Sequence, residues 1–311
     1  MSETGSTRRD FLKQAAAAGA VGVAAMAAQG AAPAASAMPT IQLGNCTVSR
    51  LIIGGNQMAG YSHVTALMTQ QMVEWYTPER TVEVLKRCLA AGINTWQISI
   101  GKITTDSLEL LRKGGDDIQW ICLTDTGGLP DTDKVKELIQ QLKPIAIVHH
   151  GGTSDGLWRE GKINVARDFI KRVKDNGVLG GLSAHNPDVI KNAEDSGWEL
   201  DLYMTCFHRQ TRTYDELKKL LGQVPLGEVY LPDDPAAMCS VVRQVKRPCL
   251  GFKILAAGRR CENPGDVREA FKFALTNIKP IDGVIVGMYP RYQDEIAENV
   301  ALVKEFTARG R

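Results

Sequence analysis

From residue 50 onward, eight short runs rich in β-branched and other apolar residues alternate with amphipathic stretches. The runs are 50–53, 94–98, 118–124, 145–149, 180–183, 202–207, 250–255 and 284–287. Helical periodicity separates them, most clearly over 78–91, 133–142, 165–176 and 266–276, and Gly, Asn or Pro follows where each helix should stop. Strands that alternate with helices pair in parallel, because only a crossover of that length can return the chain to the same sheet edge. Eight such units predict a closed (β/α)8 TIM barrel, and the roughly 270 residues after the N-terminal segment suit it. An open doubly wound sheet is the alternative. Its phosphate-binding turn, G-x-G-x-x-G after the first strand, is missing, and Gly54-Gly55 alone is a weak substitute.

The first 37 residues read as transport, not fold. Thr7-Arg8-Arg9-Asp10-Phe11-Leu12-Lys13 sets an arginine pair before Phe and Leu, and an Ala/Gly/Val stretch follows over 15–28. That stretch is too short and too weakly apolar to span a bilayer stably. Ala35-Ser36-Ala37 offers a cleavage site before Met38, with Ala32-Pro33-Ala34 as a second. Residues 1–37 are therefore expected to be a twin-arginine signal peptide, with the Tat translocase as a partner during export and a periplasmic or otherwise exported destination. No stable membrane span is expected after cleavage. Residues 38–311 are expected to form one barrel domain.

Net charge is +2, with acids and bases interspersed, which gives no footprint for nucleic acid and points to a small-molecule substrate. The seven cysteines contain no C-x-x-C pair, so neither a zinc ribbon nor a thioredoxin-type site is expected. An oxidising compartment permits a disulfide, and Cys206 can be a ligand, a reactive thiol or core filling.

Several segments together resemble the aldo-keto reductase superfamily. Ile41-Gln42-Leu43-Gly44 leading to 48–55 is similar to that family's opening hairpin and first strand, and Ala91-Gly92-Ile93-Asn94 to its approach to strand two. Residues 177–183 resemble the approach to the end of strand five; Gly287 followed by Glu298-Asn299 resembles the last strand and the helix at the cofactor's edge. The resemblance implies a barrel with its site at the C-terminal strand ends, a Tyr general acid tuned by a Lys and an Asp, a nearby His, and NADP. The chain departs from that set. Gln97 stands at the Asp position, Lys102 near the Tyr position, and Asp125 at the Lys position, while the family histidine aligns with His149. The nicotinamide clamp reads Ser183, Ala184, Met204 and Phe207, and the phosphate end keeps Lys253, Gly258, Arg259, Glu298 and Asn299. Reduction by the family's own mechanism is not expected.

Four of the five histidines, His149, His150, His185 and His208, fall at or just past the ends of strands four to six. Those ends converge on one mouth in a barrel. His149, His185, His208 and Asp125 are accordingly the candidate ligands for a divalent metal, which would polarise a carbonyl or acidify a bound water. His150 is expected on the opposite face from His149. Each histidine is also explained as ordinary scaffolding. Lys253 is the candidate substrate-binding ammonium, and a Gly-rich loop carrying Asp155 and Arg159 is expected to lie over the site. The leading expectation is an exported enzyme on a small carbonyl or sugar-type compound, with His149, Lys253 and Asp125 catalytic and metal-assisted, non-hydride chemistry. Two rivals stand beside it: an NADP-dependent oxidoreductase with a rearranged catalytic set, cofactor-bound through Ser183, Gly258, Arg259, Glu298 and Asn299, and an inactive barrel that binds a ligand or partner.

Overall fold

The computed structural model describes residues 37–124 and 132–308. The expected leader and Asp125 lie outside the described residues. An antiparallel hairpin, β1 (Thr40–Leu43) and β2 (Cys46–Ser49), opens the fold around Gly44, whose φ of 54° is left-handed. Eight parallel strands then close into one barrel: β3 (Leu51–Gly54), β4 (Thr95–Ser99), β5 (Gln119–Leu123), β6 (Ala146–His149), β7 (Leu179–Ala184), β8 (Leu202–Cys206), β9 (Cys249–Phe252) and β10 (Gly283–Gly287). Neighbours follow chain order, and β10 returns to β3 with Val284 opposite Leu51 and Val286 opposite Ile53. The chain is a (β/α)8 TIM barrel.

Alternation along each strand sorts side chains into two layers. Ile52, Ile121, Ala146, Val148, Leu202, Met204, Leu250 and Ile285 share the cluster at the barrel axis. Residues at the alternate strand positions, including Ile53, Trp96, Trp120, Leu182 and Tyr203, face outward onto the helices. Ile41, Leu43 and Val48 of the hairpin join the axial cluster, so the hairpin stoppers the end of the barrel where the strands begin.

Helix boundaries follow local chemistry. Thr77 and Asn186 cap helices Pro78–Ala90 and Pro187–Asp195 with their side-chain oxygens, each followed by the proline favoured in a first turn. Thr213 and Glu216 form a reciprocal capping box on Tyr214–Leu221, which Gly222 ends at φ 76°. The Gly-rich stretch after β6 differs from the loop expected: it is helix Gly151–Arg159, with the His150 ring accepting from Thr153 N at its start. A Cβ on Gly151 would stand 2.9 Å from Ser183 Oγ and 3.0 Å from His185 Cε1, so glycine lets this helix approach the end of β7. β9 also stops short of the expected residue 255. Lys253 turns to φ 58°, and Ala256, Ala257 and Gly258 are left-handed in turn. The seven cysteines are all unpaired, and burial pushes the Cys206 thiol up to about 12, so it packs as an inert core residue.

Candidate active site at the mouth of the barrel

At the C-terminal ends of the strands lies a cavity of about 500 Å3. Its floor is apolar, built from Leu123, Met204, Phe252 and Ile285, and Gln57 and Gln97 bring buried amides to it. Gln97 pairs across from Gly54 on β3, points into the barrel, and is 5% exposed. Its Nε2 has no hydrogen-bond partner. An unmatched buried donor costs about 1–3 kcal/mol, so this amide is a group waiting for an acceptor.

The rim carries the charge. Lys253, Gly258, Arg259, Glu298 and Asn299 all line the cavity, which gathers the substrate-binding lysine and the phosphate-end residues read from the sequence. The Lys253 ammonium lies 5.7 Å from the Phe252 ring centroid, and no carboxylate pairs with it among the described residues. Arg259 stacks its guanidinium 4.0 Å from the centre of the Tyr230 ring and donates to the His63 carbonyl at 3.0 Å. Lys102 is turned away, exposed on its own helix and paired with Asp106.

Three histidines proposed as metal ligands are not brought together, and no group of three metal-type side chains occurs among the described residues. Strand parity explains His149. Val148 points to the axis, so the fully buried His149 ring faces outward, 5.7 Å from Phe169, with Nδ1 2.7 Å from Ser154 Oγ. Burial pushes its imidazole down to about 4, which suits a neutral core residue. β6 ends at His149, so His150 leaves the strand and caps the helix that follows with its ring. His208 is likewise buried, lies 5.1 Å from the Tyr230 ring, and is pushed down to about 4 by burial against the pull of Asp234. His185 sits at the mouth but is engaged: its ring meets Phe252 edge-on, and its Nδ1 lies 3.0 Å from Asp155. Burial lowers its proton affinity, with Asp155 opposing. The described ligand candidates therefore do not fit a metal centre.

The nicotinamide end fares similarly. Ser183 is buried without lining the cavity, Ala184 faces the helices, and Phe207 packs outward near Phe273 instead of offering a stacking face. Of the four clamp positions only Met204 borders the cavity, and it brings no hydrogen bond. The residues present fit the anionic end of a dinucleotide and not its redox end.

Sequence reasoning missed His63. It projects from the segment after β3 with φ 59°, lines the cavity, and pairs its Nδ1 with Glu228 Oε1 at 2.7 Å. A lone loop histidine gives no periodic signal, and its partner lies 165 residues further on.

No protein-family model and no curated protein matches the chain. Solved structures do match. The glycerol dehydrogenase AKR11B4 from Gluconobacter oxydans, an aldo-keto reductase, is 13% identical, covering 87% of this chain and 95% of its own, with a TM-score of 0.48. A truncated 3-deoxy-D-arabino-heptulosonate 7-phosphate synthase from Thermotoga maritima is 14% identical over 88% and 92%, with a TM-score of 0.49. The N-acetylmannosamine-6-phosphate 2-epimerase from Clostridium perfringens is 14% identical over 83% and 92%, with a TM-score of 0.43.

Proposed function

We propose that this chain is an exported (β/α)8-barrel enzyme acting, without hydride transfer, on a small negatively charged carbonyl or sugar-type compound held at the barrel mouth. The observation that carries this reading is the pairing of two unspent donors in one cavity. The Gln97 amide is buried without an acceptor, and the Lys253 ammonium has no carboxylate partner among the described residues. An oxygenated anion satisfies both, with its charged group toward the basic rim and its carbonyl oxygen toward Gln97. The arginine pair at Arg8-Arg9 supports the exported part of the reading.

Calorimetric titration with inorganic phosphate, hydroxy acids and ketose phosphates tests it. Micromolar to millimolar binding that weakens at least about tenfold in Lys253→Met supports the reading. Absence of binding to every compound overturns it. A second reading, NADP-dependent oxidation or reduction, is favoured by Gly258, Arg259, Glu298 and Asn299 lining the same cavity. Quenching of tryptophan fluorescence by NADPH, with turnover of a carbonyl substrate, would establish that reading instead.

A further inference from the structure

His63 faces the same cavity as Lys253 and Gln97 with its ring already oriented for proton transfer. Glu228 holds Nδ1 at 2.7 Å and is itself fixed by Gln210 Nε2 at 2.6 Å and the Tyr230 hydroxyl at 2.8 Å. Partial burial works to raise the Glu228 carboxyl, but His63, Tyr230 and Lys253 together hold it at about 2, so it is a constant acceptor at ordinary pH. A carboxylate on Nδ1 places the ring proton there and leaves the lone pair on Nε2. The Asn56 amide, on the cavity wall, donates to that lone pair from Nδ2 at 3.3 Å. An imidazole backed by a carboxylate at a cavity wall, its lone pair held only by one long amide contact, is the arrangement a general base requires once an entering substrate displaces that amide.

A second observation singles out the same residues. Among the described residues, five that are not glycine have left-handed backbones, and three of them (His63, Lys253 and Ala257) border this cavity. Each left-handed non-glycine residue costs roughly 1 kcal/mol or more, and such strain concentrates at functional sites.

We infer that His63 is the general base of this site and that the reaction is proton transfer between adjacent carbons of an α-hydroxy carbonyl anion, an inference that rests on the mouth reading above. Nε2 takes the proton from the hydroxyl-bearing carbon next to the carbonyl. The C–H electron pair becomes the C=C bond of an enediolate, and the carbonyl π pair moves onto oxygen beside Lys253 and the Gln97 amide. Lys253 gives a proton to that oxygen and takes one from the neighbouring hydroxyl. The imidazolium then returns its proton to the former carbonyl carbon. Aldose and ketose interconvert, with no leaving group and no oxidant or reductant.

The test incubates the full-length folded protein in D2O with dihydroxyacetone phosphate, ribulose 5-phosphate and fructose 6-phosphate, following carbon-bound deuterium by NMR and binding by calorimetry. The expected result is deuterium incorporation by the wild type. His63→Ala should slow it about a thousandfold with binding retained, and added imidazole should restore it. Glu228→Gln, which keeps the ring in place, should lower the maximal rate with little change in KM. Binding without deuterium incorporation, or undiminished incorporation in His63→Ala, overturns the inference and leaves the mouth reading standing. Absence of binding to all three phosphates, and to the other anions tested above, overturns the mouth reading itself.

Discussion

Asp155 holds His185 twice, through the ring Nδ1 and through the backbone N–H, both at 3.0 Å. The same carboxylate, 1% exposed, accepts from Asn186 N at 3.2 Å and Thr211 Oγ1 at 2.9 Å. One side chain on helix Gly151–Arg159 thus ties down the end of β7, the cap of the next helix and the segment beyond β8. Asp155→Ala should therefore cost about 2–4 kcal/mol, because it strands several enclosed donors at once. Urea unfolding at pH 7.5 measures it; a loss below 1 kcal/mol would show that water replaces the carboxylate.

Acid should destabilise the barrel through its buried histidines. Above pH 6.5 the His149 and His208 rings are neutral in the folded and unfolded chain alike. Below it the unfolded chain takes up protons that the folded chain refuses until about pH 4, since burial has pushed both imidazoles down to that value. Stability therefore falls as pH drops through this window, and His185, lowered for the same reason, adds to the effect. The two lowest groups together remove about 4 kcal/mol between pH 7.5 and pH 5. Urea midpoints at the two pH values report it, and replacing His149 and His208 by Gln should flatten the difference. Equal midpoints in the wild type would refute the prediction.

Lys253→Gly should separate stability from binding. Glycine adopts φ 58° without the steric penalty lysine bears there, which favours the variant by about 1 kcal/mol. The same change removes the unpaired ammonium from the cavity rim. Thermal unfolding should rise by a few degrees while anion affinity drops at least about tenfold. A fall in both would mean that the lysine stem supports the turn after β9.

Gln97→Met keeps the shape of the side chain and deletes its unmatched donor. Without ligand the variant should gain about 1 kcal/mol, because an apolar group replaces a buried N–H that has no acceptor. Anion binding should weaken in parallel. Lower stability of the ligand-free variant would show that the amide already has a partner, such as an enclosed water.

The eight barrel strands were legible because each is a short apolar run set off by turn residues, and Leu51–Gly54 through Gly283–Gly287 lie within one to three residues of the runs read from the sequence. Which side chains face the axis was not legible. All four residues of β6, Ala146 to His149, are buried, and a strand covered on both faces shows no polar alternation to set its parity. Hence His149, the last residue of that strand, was read as a mouth residue although it faces Phe169. Lys253 was found because it follows β9 directly, where any barrel strand delivers its next residue to the mouth, and Arg259 was found through the aldo-keto reductase resemblance. His63 and Glu228 come from separate loops and meet only in the folded chain. Gln97 was noticed as a departure from the aldo-keto reductase pattern, but its orphaned amide is a property of packing that no motif records.

The hairpin of β1 and β2 makes the barrel a blind-ended vessel. Ile41, Leu43 and Val48 occupy the axis beneath the floor of the cavity, so among the described residues the barrel is closed at its opposite end. Whatever enters must leave by the same doorway, and a product that lingers bars the next substrate. For the activity proposed above, competitive product inhibition, and a turnover rate governed by how quickly the contact between Arg259 and the His63 carbonyl opens, are the expected kinetic signatures of such a vessel.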